Sequence, residues 1–326
     1  MSTAMGPTAP GGMPAPMTVG RILDRIWVIL RGRVWLFTAI GAVPGVATLI
    51  LIGAIFGALF AMGIFPPHPQ APASPQFVWK FFTAILLAMA PMMLVYAVFH
   101  AAVCHASIAV SRGAEVTWRS AYSAAWNKTG RYIWLVVLCW LIVSAPLMLA
   151  FALVGGMAAL SMFHAGGAAN PAAFLVILPI LLLLYLGGMV YGIWMTLRVG
   201  LAFPAAVAED LTAAQAVARS ARLTHRAKGR MFLVLLVVYA ISYAVMLVIE
   251  MLGMAGFAIV ALIGSSLHWN ALVGFVGLGI LAVPAFLVFM AMMSAIYGIV
   301  FSVLYEDQVV RIDGGAQALI AGGERG

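Results

Sequence analysis

The stretch FHAAVCHASIAV sets His100 and Cys104 four residues apart, on one face of a helix, with His105 beside them. An imidazole and a thiol so related can ligate a soft metal or relay protons. A metal would need a further ligand from another segment, and Cys139 is the only other thiol in the chain. The plainer reading is polar side chains satisfied between packed helices, and no cofactor is expected. Glu250, in YAVMLVIEMLGM, is a second ionisable group within an apolar run, where the cost of burial demands a partner or a function. About 20 residues separate it from Arg230, roughly 30 Å of helix. It is therefore expected near the far membrane interface, where Lys80 can pair with it.

Arg198, between IWMTL and VGLAFPAAVA, is the third such group. An unpaired arginine at a bilayer centre costs about 2.5 to 3.5 kcal/mol. The sequence offers it Glu209 or Asp210, folding back across Pro204, or else a lipid phosphate. Further on, Arg219, Arg222, Arg226 and Arg230 fall within about 80° of one another on a helical projection, with Ala213, Val217 and Ala221 opposite. Such a stripe either anchors a helix at a membrane surface or presents guanidinium groups to phosphates while its small-residue face packs inward.

The elements that must position these groups follow from composition. Hydrophobic residues make up 65% of the 326, charged residues 8%, and the mean hydropathy is +1.12. Soluble domains carry about a quarter charged residues, so this is an all-α, polytopic membrane protein. Apolar runs at 34–64, 79–110, 132–163, 172–200, 231–264 and 271–304 each exceed the roughly 20 residues that cross a bilayer as a helix. Residues 1–16, rich in Gly, Pro and Ala, read as a disordered cytoplasmic tail; 17–310 form the membrane domain and 311–326 a second cytoplasmic tail. The net charge of +8 has its explanation in anionic phospholipid, and nucleic acid is not an expected partner.

Sixteen of the 17 basic residues fall in one alternate set of connections, leaving Lys80 at the edge of the other, built from PPHPQAPASPQ, HAGGAANP and SLHWN. The positive-inside rule then places both termini in the cytoplasm. Three segments preceding crossings share a layout: MTVGRILDRIWVILRGRVWLF, VTWRSAYSAAWNKTGRYIWLV and LTAAQAVARSARLTHRAKGRMFLVL. Each opens on a capping threonine, Thr18, Thr117 or Thr212, and ends on Arg33, Arg131 or Arg230. Prolines recur in the even crossings, at Pro91, Pro179 and Pro284. The period predicts three tandem units, about 17–111, 116–208 and 211–310, each an amphipathic interfacial helix followed by two crossings. In the first helix Ile22, Leu23, Ile26, Trp27, Ile29 and Leu30 share a face; in the second Trp118, Tyr122 and Trp126 suit an aromatic belt. In the third, Thr212 with Gln215 reads as a capping box. Gly53 and Gly57, with Ala61 beyond, are expected at a close helix contact, within the chain, in a homo-oligomer or with a membrane partner.

The stretch RVGLAFPAAVAEDLTAAQAVARSARLT resembles the membrane domain of bacterial glycerophosphoryl diester phosphodiesterases, and the multi-pass proteins that consist of that domain alone. The residues that carry the resemblance are Arg198, Pro204, Glu209, Ala216, Arg219, Ser220, Leu223 and Thr224. MTVGRILDRIWVILR is similar to the family's start, and LYEDQVVRIDGG looks like its close, with Val309 in place of an arginine and Asp313 in place of a glutamate. His225, Arg226 and Ala227 replace the family's usual basic-glycine exit. The resemblance implies a bacterial inner-membrane location and lipid-related function, while the hydrolytic chemistry of the fused enzymes belongs to a separate soluble barrel. Nine acidic residues scattered along six crossings do not supply that barrel's metal site. No glycine-rich phosphate loop, nucleophile elbow or HExxH pattern occurs, so an enzyme is not expected. The leading expectation is a non-catalytic module that binds anionic phospholipid or headgroups through Arg198, Arg219, Arg222 and Arg226. A small-solute transporter or channel is the alternative, and an intramembrane enzyme the third reading.

Overall fold

The computed structural model describes residues 16–61, 75–164, 171–266 and 271–323. Residues 1–15, 62–74, 165–170, 267–270 and 324–326 lie outside the described residues, as do the side chains of Ala61, Lys80 and Pro284.

Every described element is a helix. Six stretches among them are long and apolar enough to cross a membrane: Val34–Ile55, Met89–Ser111, Thr129–Ala150, Leu178–Ala208, Lys228–Ile263 and Leu287–Gly314. They belong to α2 (Val34–Ala61), α3 (Pro75–Ser111), α5 (Thr129–His164), α6 (Pro171–Val199) with the short α7 (Ala202–Ala208), α9 (Lys228–Ser266) and α10 (Ala271–Gly323). Large apolar side chains along them point outward, such as Leu183 at 71% and Leu252 at 67% exposure. A water-facing surface would not tolerate such a density. α10 lies against α2, α3 and α9, and it runs past the boundary expected at 310 because Arg311 and Asp313 are engaged by neighbours.

Three shorter helices precede α2, α5 and α9: α1 (Val19–Gly32), α4 (Trp118–Trp126) and α8 (Ala213–Thr224). Thr18 accepts the Arg21 N–H at 3.3 Å, Thr117 and Ser120 form a capping box, and the Gln215 carbonyl accepts the Thr212 N–H at 3.1 Å. Each cap satisfies donors that the first helical turn leaves orphaned. The buried core gathers at this end of the bundle, where Ile22, Ile40, Phe99, Val103, Leu135, Leu201, Leu223 and Leu304 meet.

The faces that these helices bury differ from the projections. α1 buries Ile22, Ile26, Ile29 and Leu30 but leaves Trp27 59% exposed, because its apolar face is wider than the surface that covers it. α8 buries Ala213, Ala216, Ser220, Leu223 and Thr224, a face turned roughly 70° from the expected one toward Arg219. Tyr122 leaves the aromatic row: its hydroxyl donates to the Ile40 carbonyl at 2.7 Å, while Trp118 and Trp126 stay exposed. The sequence explains that contact, since Pro44 sits four residues beyond Ile40 in α2 and has no N–H for that carbonyl. Burial pushes the Tyr122 hydroxyl pKa up, which keeps it a donor. Close helix contact also occurs elsewhere than expected. A Cβ on Gly41 would collide with the Ala291 backbone and one on Gly298 with Val103, whereas Gly53 and Gly57 have no described atom within 4 Å of that position.

Replacing Tyr122 with Phe strands the Ile40 carbonyl and is expected to destabilise the protein by about 1 to 3 kcal/mol. Pro44→Ala restores the missing N–H, so in thermal melts the second substitution should recover most of that loss only in the Tyr122→Phe background.

Candidate functional site

The acid-poor chain concentrates carboxylates in one motif, LYEDQVVRID, on α10. The Asp307 side chain is 0% exposed, and a carboxylate there must be paired. It receives the Met17 N–H at 2.8 Å, Arg230 Nη1 at 3.1 Å, Arg311 Nε at 2.9 Å and Gln308 Nε2 at 3.1 Å. Arg230 and Arg311 also donate to the Met17 carbonyl. Glu306 accepts from Arg25 at 3.1 Å and from the Ser111 hydroxyl. Together Asp307 and Glu306 tie α1, α3 and α9 to α10.

Arg219 joins the same scaffold. Its Nε meets Glu209 at 2.9 Å and its Nη2 meets Asp313, while the Tyr305 hydroxyl donates to Glu209 at 2.6 Å. The Asp313 bond first, then Glu209, raises the guanidinium pKa further above its already high value. With the side chain only 15% exposed, Arg219 holds α8 to α10. Asp210, at φ 53°, occupies the left-handed region that Asp tolerates better than most residues. Hydrogen bonds from Lys128 and Arg131 hold its carboxyl below the usual aspartate range, the Arg131 bond measuring 2.7 Å.

Both acids offered to Arg198 are therefore occupied. The seven-residue α7 carries them about 10 Å along its axis, where Arg219, Tyr305, Lys128 and Arg131 are nearer. What Arg198 supplies to the interior is its carbonyl, which accepts the Ser220 hydroxyl at 2.8 Å and the Thr224 hydroxyl at 3.4 Å. Ser220 also accepts the Leu201 N–H at 3.1 Å. These bonds satisfy backbone groups released where α6 breaks into α7, and Gly200 fits the break because a Cβ would strike the Phe301 ring. Pro204, Ala216 and Leu223 are buried in the same assembly.

The Arg198 guanidinium instead stands exposed, 5.8 Å from the centre of the Trp194 ring. Lys228 Nζ lies 4.2 Å from the same ring. Arg222 and Arg226 are exposed on α8 and its exit. None of the four has a carboxylate partner among the described residues. Indole faces attract cations, but two cations on one indole remain mutually repulsive until an anion joins them. Trp194 and Lys228 escaped the sequence reading, and only the mixture of tryptophan with basic residues on both sides of the break marked them.

The other candidates separate. Glu250 is exposed on α9 with no ion pair among the described residues, and the side chain of Lys80 lies outside them. His100 packs at a tilt against the rings of Phe99 and Phe203, with centroids 5.1 and 5.4 Å away. It lines a cavity of about 520 Å³ with Cys104 and Cys139, among α3, α5, α6, α7 and α10. His105 points elsewhere, its Nδ1 buried without a hydrogen bond. No three metal-ligand residues converge among the described residues.

Comparison with family models, curated proteins and solved structures yielded no match to this chain.

Asp307→Asn leaves Arg230 and Arg311 without their shared countercharge and is expected to cost about 3 kcal/mol, the scale of breaking a buried pair. Glu306→Gln, at a site 21% exposed, should cost under about half as much. Melting temperatures in one detergent check the order.

Proposed function

We propose that this chain is a bacterial inner-membrane protein with cytoplasmic termini, and that it binds anionic phospholipid headgroups, without catalysis, through Arg198, Arg222, Arg226 and Lys228. The observation that carries the reading is the division among the cations. Arg219 and Arg230 are consumed by carboxylates, whereas Arg198 and Lys228 share Trp194 with no anion between them. A phosphate suits the gap: guanidinium groups bind its oxygens in pairs, lysine adds a point charge, and a tryptophan ring rests well at headgroup depth. α9 also begins at Lys228 with no acidic residue in its first turn, so its positive dipole end adds to the same attraction.

One-sided placement of basic residues supports the cytoplasmic orientation. The three capped helices, each followed by a helix long enough to span, support three related units of one interfacial helix and two crossings. The resemblance to the phosphodiesterase membrane domain agrees with a lipid ligand, and the stretch that carries it folds around the α6–α7 break beside these cations. Arg219 moves in this reading from ligand to positioning residue.

Native mass spectrometry of protein released from phosphatidylglycerol-containing membranes tests the proposal. Wild type is expected to retain phosphatidylglycerol, and Arg198→Gln/Lys228→Gln to lose at least tenfold of it. Arg219→Gln should lower the melting temperature while retention per folded molecule persists. Equal retention by wild type and the double variant would overturn the reading.

A further inference from the structure

The cavity beside His100 is separate from the cation face and does not depend on it. Thr196, Val199 and Gly200 form part of its wall, while Arg198 stands exposed over Trp194. It lies within the spanning stretches, between Met89–Ser111, Thr129–Ala150 and Leu178–Ala208. Two lining residues, Tyr96 at 40% and Trp140 at 39% exposure, reach the outer surface of those spans. The opening thus faces hydrocarbon, and an occupant enters from the bilayer.

Its chemistry is narrow. Methionine, aromatic, valine and cysteine side chains form most of the wall, and no charged side chain lines it among the described residues, so a phosphate would go unmatched. His100 sits among the rings of Tyr96, Phe99 and Phe203 at 6.3, 5.1 and 5.4 Å and makes no hydrogen bond among the described residues. A neutral imidazole presents one donor and one acceptor. An unpaired polar group in such surroundings is costly, and an aliphatic chain would leave it unpaired. A flat ring carrying a carbonyl or hydroxyl oxygen pairs it and stacks against Phe203 and Trp140. A volume of about 520 Å³ is typical of small-molecule sites. It holds such a headgroup while a tail leaves through the rim.

We propose that this cavity binds a neutral lipid-soluble ring compound of the quinone or quinol class, with His100 donating to a carbonyl oxygen or accepting from a hydroxyl. The walls supply stacking and exclude water, and the single imidazole fixes orientation.

The test uses the full-length protein in phosphatidylcholine nanodiscs, titrated with decylubiquinone while tryptophan fluorescence is recorded. A saturable quenching component is expected over the linear background of partitioned quinone, and Trp140→Phe should remove it. His100→Phe keeps the ring contacts and should weaken binding about fivefold to tenfold, the worth of one net hydrogen bond. Val143→Phe narrows the cavity and should abolish saturation; if that variant misfolds, the two variants that keep an aromatic ring in place, His100→Phe and Trp140→Phe, decide. Absence of a saturable component, or one indifferent to both His100→Phe and Trp140→Phe, would overturn the assignment. So would a co-purified phospholipid that decylubiquinone does not displace, which would make the occupant an acyl chain.

Discussion

A single buried carboxylate organises one end of this bundle. Asp307 lies where water cannot screen it, so it must gather donors and positive charge, and it draws them from the Met17 N–H and from Arg230 and Arg311. The start of α1, the start of α9 and the middle of α10 are far apart in sequence, and this carboxylate draws all three together. Coulombic gain in such a site is largely offset by desolvation, so what the cluster contributes above all is uniqueness. Glu306 adds α3 through Ser111, and Asp313 adds α8 through Arg219, so three carboxylates within one helix set the positions of four others.

Charge counting gives this arrangement a consequence. Nine acidic residues face 17 basic ones, so carboxylates can neutralise only part of the basic set. Those on α10, with Glu209 and Asp210, take arginines that must stand at helix junctions. The remainder are left at the rim, and Arg198 and Lys228 are held there by geometry: the first by the α6–α7 break, the second by the start of α9.

The spanning helices, their caps and the three short helices were legible because each depends on local pattern: run length, a threonine before a helix, a periodic apolar face. The Thr212–Gln215 box is of this kind. Partner choice was not legible. Projection placed Ala213, Val217 and Ala221 inward, but the buried face turned toward Arg219 because Glu209 and Asp313, ten and 94 positions distant, converge on that guanidinium. Tyr122 looked like a belt residue because the carbonyl it satisfies lies on another helix, freed by Pro44. Within the chain, close approach occurs at Gly41 and Gly298, whose neighbours are the Ala291 backbone and Val103, positions that the Gly53–Gly57 spacing does not mark.

The break at Gly200 connects the two candidate ligand regions through local geometry alone. A continuous helix from 171 to 208 would keep its carbonyls internally bonded and would need no α8 beside it. Interrupted after Val199, it exposes the Arg198 carbonyl and the Leu201 N–H, and Ser220 and Thr224 are the groups that answer them. That requirement docks α8, which leaves Arg222 exposed on its outer face. The same interruption lets α7 change course, so that Phe203 and Pro204 close over His100 and complete the cavity wall. Ser220 thus acts together with Glu209 and Asp313, which hold the neighbouring Arg219, in setting the pose of α8.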